Sequence, residues 1–142
     1  MPETRVTTEQ KRVVVERANG CCEYCKSQAR FATQSFTCEH ILPRHSGGET
    51  TLENLALACQ GCNNHKYTKT EARDPVSDKI VPRYHPRLQR WPEHFAWNDD
   101  FTLLIGLTPV GRATIQALQL NREEPVNLRR VLYAMGEHPP IE

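Results

Sequence analysis

Two short cysteine pairs constrain this chain more than any other feature. Cys22-Glu23-Tyr24-Cys25 and Cys59-Gln60-Gly61-Cys62 are both C-x2-C knuckles, and 34 positions separate Cys25 from Cys59. Two such knuckles supply four thiolates, enough to close a tetrahedral zinc site with no position left for water or substrate. A closed site is structural, and the free energy of holding its ion is folding free energy. The separation leaves room for a hairpin between the knuckles. Cys21 lacks the x2 spacing to Cys25, and Cys38 is expected mid-strand as a small apolar residue. A disulfide framework would need an oxidising compartment. The start of the chain, Met1-Pro2-Glu3-Thr4-Arg5, lacks the basic-then-apolar layout of an export signal. A cytoplasmic address is therefore expected, and the paired cysteines are read as metal ligands.

Around the knuckles the sequence predicts an α+β chain. Thr7 and Gln10 have capping-box spacing before a helix that runs to about Asn19, with Gly20 as its stop. Phe36–Leu42 reads as a strand, Ser46-Gly47-Gly48 as a turn, and Asn54–Ala58 as a second strand leading into the second knuckle. A helix is expected from Asn63 to about Arg73, broken by Asp74-Pro75. Pro75, Pro82, Pro86 and Pro92 then predict an extended path over 75–92. Two short strands are expected at Phe95–Trp97 and Phe101–Ile105. A helix follows, opening at Thr108-Pro109, and a last one starts near Pro125 and stops at Gly136. The organisation expected is a core over residues 1–74 and an extension over 75–142, of two strands and two helices, packed on or beside the core. No apolar run approaches membrane-spanning length, so no membrane partner is expected.

The net charge of +1 hides an uneven distribution. Residues 1–65 carry seven basic and seven acidic side chains, 66–90 seven and three, and 91–142 four and seven. The middle segment is thus either an electrostatic footprint for a polyanion or a solvated charged face.

Between the knuckles lies Glu39-His40. Adjacent residues of one strand point to opposite faces, so one group can hold a metal while the other faces water or substrate. His40 is followed by Pro43, Gly47-Gly48, Asn54-Leu55 and the run Cys59-x2-Cys62-Asn63-Asn64-His65-Lys66. This order, with 14 positions from His40 to Asn54 and nine from Asn54 to Asn63, resembles the HNH endonuclease signature over roughly residues 8–70.

The resemblance implies a ββα-metal core, stapled here by the four-cysteine zinc site, and a second, catalytic divalent ion, magnesium or manganese. It implies a metal-dependent endonuclease that hydrolyses phosphodiester bonds in DNA. His40 matches the general base that activates water. Glu39 and Asn63 match ligands of the catalytic ion, and oxygen donors of that kind suit magnesium. Asn54 matches the residue that holds the hairpin loop and so aims His40. Two positions depart from the usual pattern. Glu39 stands where Asp is commoner, and Asn63 stands where His is frequent, with His65 two residues on as an alternative ligand or proton donor.

Phosphate contacts are expected from Arg44, Lys66 and Lys69 near the site and from Arg83, Arg87 and Arg90 on the proline-bearing segment, giving affinity without base choice. Trp91, Phe95, Trp97 and Phe101 read first as core aromatics of the C-terminal half and second as base-stacking platforms. A homodimer or a partner protein stays open, since one active site cuts one strand at a time. Two other readings need less of the sequence: a non-catalytic zinc module binding nucleic acid or protein, and a structural adaptor that docks through its C-terminal half.

Overall fold

The computed structural model describes residues 5–141; the first four residues, on which the reading of the N-terminus falls, lie outside the described ones. The chain is α+β, with three two-stranded antiparallel sheets and five α-helices among the described residues.

Helix α1, Thr8–Arg17, begins at the expected capping box: Thr7 Oγ1 accepts from Gln10 N at 3.0 Å, and Gln10 Oε1 accepts from Thr7 N at 2.9 Å. Its Val14 packs on Leu55 and Leu57. Strand β1, Thr37–His40, pairs antiparallel with β2, Leu55–Ala58, in a register that sets Glu39 opposite Ala56 and His40 opposite Leu55. All four residues of β2 are buried, so its Leu-Ala-Leu-Ala run is covered on both faces. Helix α2, Gln60–Lys66, follows directly.

The helix expected to reach Arg73 ends sooner in the structure. Tyr67 takes φ 44°, which ends α2, and Glu71–Arg73 becomes strand β3, paired with β4, Ile80–Pro82. The segment expected to run extended over 75–92 thus supplies half of a hairpin, and then the single-turn helix α3, Trp91–His94. Asp74 makes the hairpin turn. Its carboxylate accepts from Val76 N and Ser77 N at 3.1 and 3.2 Å and pairs with Arg112 at 2.9 and 3.0 Å. Asp74 is therefore a turn residue that also binds a helix, not merely a helix breaker.

Strand β5, Phe95–Trp97, pairs with β6, Leu104–Gly106, which lies further along than the expected 101–105 because Phe101 sits in the turn at φ 60°. Helix α4, Pro109–Leu118, starts as expected, with Thr108 Oγ1 accepting from Gly111 N at 3.0 Å. Helix α5, Glu123–Ala134, closes the architecture.

One apolar cluster joins the two halves. It contains Cys22, Tyr24, Cys25, Cys59 and Cys62 together with Tyr84, Trp91, Phe95, Leu104, Leu118 and Leu120. Tyr84 meets Phe95 edge-on at 5.3 Å, and Trp91 lies 5.2 Å from Phe95. These geometries agree with the core reading of the aromatics. Trp97 packs at the margin of this cluster, while Phe101 stacks on Tyr133 at 5.1 Å. Cys38 is only half-buried. No helix among the described residues is long and apolar enough to cross a membrane.

Candidate nuclease site and its zinc staple

The four knuckle cysteines are buried and converge, their sulfurs all within 4.8 Å of one another. Cys25 Sγ and Cys59 Sγ are 3.7 Å apart. Tetrahedral zinc with Zn–S bonds of about 2.3 Å requires sulfurs roughly 3.8 Å apart, so the set fits one such ion. Four buried thiolates without a cation would carry a large desolvation cost. The donor set thus identifies a metal-binding cluster of the zinc type, from the residues that the spacing selected. The second knuckle forms the first turn of α2, where Cys59 Sγ accepts from Cys62 N at 3.5 Å.

The two residues inside the first knuckle each have a definite partner. Glu23 N donates to Leu57 O and Glu23 Oε2 accepts from Leu57 N, both at 2.8 Å, which pins the knuckle to β2. Tyr24 is fully buried, and its hydroxyl donates to Glu39 Oε1 at 2.5 Å. Burial and the neighbouring Glu39 charge raise the Tyr24 phenol well above its usual range, so it stays protonated as a donor.

Glu39 and His40 diverge from β1 as strand geometry requires. Glu39 turns inward and is 5% exposed. Lys66 Nζ, on α2, lies 2.7 Å from Glu39 Oε2 and donates to His40 O at 3.0 Å. Lys66 and Glu39 Oε2 thus form a buried ion pair. Burial lowers the Lys66 pKa, opposed by the Glu39 charge. His40 is half-buried, with Nε2 2.8 Å from Thr50 Oγ1. Burial, then the Arg44 and Lys66 charges, hold His40 below the ordinary histidine range.

The loop between the strands is closed by one side chain. Asn54 Oδ1 accepts from Leu42 N at 2.9 Å, while its Nδ2 donates to Leu42 O at 3.1 Å and to Glu49 O at 2.8 Å. The Gly-Gly turn allows this closure. Gly47 has φ 98°, and a Cβ on Gly48 would collide with the Leu42 carbonyl and press on the Asn54 amide. Asn63 stands one turn before Lys66 on α2, and so neighbours it on the helix surface. His65 is exposed.

With this geometry in place, the comparison with protein families adds one finding: the HNH endonuclease model matches residues 22–69. Residues 22–69 belong to the HNH endonuclease family. The match opens at the first zinc cysteine and takes in both knuckles, the β1–β2 hairpin and α2. No curated protein and no solved structure matches the chain.

The six basic residues singled out in the sequence do not form one face around the HNH segment. Arg44, Lys69 and Arg90 are exposed. Lys66 is internal, in the Glu39 pair. Arg83 is 5% exposed: its Nε donates to Lys69 O at 2.7 Å and its Nη1 to Tyr24 Oη at 3.3 Å, and Nη2 donates to Ile41 O. Arg87 is half-buried and pairs with Glu23. Two residues with clear partners at the metal-binding elements escape a reading of the sequence, Tyr24 and Arg122. Arg122 donates from Nη2 to Cys59 Sγ at 3.5 Å and from Nη1 to Cys62 Sγ at 3.6 Å. Nothing local marks Arg122, since 60 residues separate it from Cys62. For Tyr24, an aromatic with a polar tip inside a zinc knuckle is the one signal available, because a buried tyrosine usually finds a hydrogen-bond partner.

Proposed function

We propose that this chain is a metal-dependent endonuclease that hydrolyses phosphodiester bonds in DNA. The observation that carries the reading is His40 itself, a half-buried imidazole of lowered pKa at the end of β1, beside a loop tied by Asn54. A base that is neutral at working pH can take a proton from water. In the tautomer that carries its proton on Nε2, the ring donates to Thr50 Oγ1 and keeps its lone pair on Nδ1 for that task. Asn54 does not touch substrate in this account; it holds the 42–54 loop against which His40 is set.

Glu39 and Asn63 are the residues that would hold a divalent ion. Glu39 Oε2 is a buried carboxylate oxygen whose counter-charge, Lys66, an ion would displace, and Asn63 offers a neutral amide oxygen one turn before Lys66 on α2. Such oxygen donors suit magnesium or manganese, which when bound supply positive charge for the scissile phosphate and the leaving oxygen. His65, exposed on α2, is the alternative ligand or proton donor. Arg44, Lys69 and Arg90 are exposed and can meet a phosphate backbone, whereas Lys66, Arg83 and Arg87 serve the interior.

One observation favours a second reading, a non-catalytic zinc module that binds nucleic acid. Lys66 already sits against Glu39 as its counter-charge. The two readings part in a plasmid-nicking assay of the zinc-loaded protein with magnesium or manganese. Conversion of supercoiled DNA that stops on adding EDTA supports the endonuclease. Binding of DNA with no conversion under any of these ions supports the module.

A further inference from the structure

We propose that Tyr24, inside the first zinc knuckle, is a positioning residue for the catalytic ion: its hydroxyl holds Oε1 of the Glu39 carboxylate, so that Oε2, where the Lys66 ammonium stands, is the oxygen that an ion would take. This rests on the reading of Glu39 as a ligand of that ion.

Four contacts of Tyr24 define the arrangement. The Tyr24 hydroxyl donates to Glu39 Oε1 at 2.5 Å, which occupies that oxygen and leaves Oε2 to the Lys66 ammonium, 2.7 Å away. Arg83 Nη1 donates to the Tyr24 oxygen at 3.3 Å. With its oxygen engaged as an acceptor, the phenol directs its single proton at Glu39. Trp91 Nε1 donates to Tyr24 O at 3.0 Å, and the ring meets Tyr84 edge-on at 6.4 Å.

The backbone of Tyr24 has little freedom. It lies between the ligands Cys22 and Cys25, and its neighbour Glu23 is held by both hydrogen bonds to Leu57. The position of the hydroxyl is therefore set by the zinc staple, and the staple reaches the carboxylate through one side chain. Residues that orient a metal ligand change metal affinity without touching the ion. A buried tyrosine that merely satisfied Glu39 would change stability and leave ion affinity unmoved.

The experiment is a Mn2+ titration followed by electron paramagnetic resonance on the zinc-loaded full chain. It compares wild type, Tyr24→Phe, Glu39→Gln and the double variant, with zinc content and melting temperature recorded for each. Tyr24→Phe keeps the ring and removes only the hydroxyl. The expected result is a loss of Mn2+ affinity of about 10-fold or more, the range for removing a partner that orients a ligand, with one zinc retained. The double variant should bind no more weakly than Glu39→Gln, since the hydroxyl acts through that carboxylate. Affinity equal to wild type in Tyr24→Phe, with Glu39→Gln weakened, would overturn the positioning role alone. Equal affinity in Glu39→Gln would overturn the ligand assignment beneath it. Should Tyr24→Phe lose its zinc, Arg83→Lys takes its place. It shortens the reach to the hydroxyl, and the same weakening is expected; unchanged affinity would again overturn the role.

Discussion

Lys66 Nζ stands 2.7 Å from Glu39 Oε2, with side-chain exposures of 2% and 5%. Strand β1 and helix α2 are thus joined by a buried ion pair at the position where the account puts a catalytic ion. Removing one member of such a pair leaves an uncompensated buried charge.

Lys66→Met should therefore destabilise the protein by about 3–5 kcal/mol in the absence of divalent ions. Magnesium or manganese should recover part of that loss, because an ion held at Glu39 would restore the counter-charge. Melting curves with and without the ion check this. A variant whose melting temperature ignores the ion would argue against Glu39 as its ligand.

Asn54→Ala should cost about 1–3 kcal/mol, since three neutral hydrogen bonds from one amide are lost and the loop can recover some with water. Cleavage should fall further than stability does, because the loop that aims His40 loosens. Denaturant titration alongside single-turnover cleavage separates the two. Equal wild-type cleavage in a folded variant would remove Asn54 from the account.

These two residues show what the sequence discloses and what it hides. Asn54 is legible because its role is local: 12 positions from Leu42, it closes the same hairpin that the Gly-Gly turn announces. The zinc set is legible because spacing alone selects Cys22 over Cys21. Lys66, Arg83 and Arg87 look like part of a basic surface, and a charge count cannot tell which side chains turn inward. Their partners lie far along the chain, Glu39, Tyr24 and Glu23 respectively. The β3–β4 hairpin is hidden for a different reason. Its strands are three residues each, too short for an alternating pattern to stand out, and Asp74 reads as a breaker when its carboxylate builds the turn.

Arg122→Ala should speed zinc release to a chromogenic chelator by about 10-fold, because its guanidinium donates to two of the four zinc-binding sulfurs. A Cβ on Gly61 would collide with that guanidinium, so Gly61→Ala should act in the same direction. Release rates equal to wild type in both variants would show that these contacts leave the ion unaffected.

Stability should decline as pH drops from 7 toward 5. His40, His85 and His138 are each held below the ordinary histidine range, burial being the main cause. The unfolded chain then takes up their protons first, near pH 6.5, while the folded chain resists. The loss sets in below that pH and levels off once the lowered folded-state values are passed. Denaturant midpoints across this range test the sign; a rise in stability on acidification would contradict it.

The central claim is that His40 acts as the base of a DNA-cleaving site. The direct test is a plasmid-nicking assay of zinc-loaded wild type and His40→Ala, side by side, in magnesium and in EDTA. The account predicts metal-dependent conversion by wild type and a rate lower by about 10²–10⁴-fold in the variant, the usual contribution of a general base, with DNA binding and melting temperature retained. Cleavage by folded His40→Ala at the wild-type rate would contradict it.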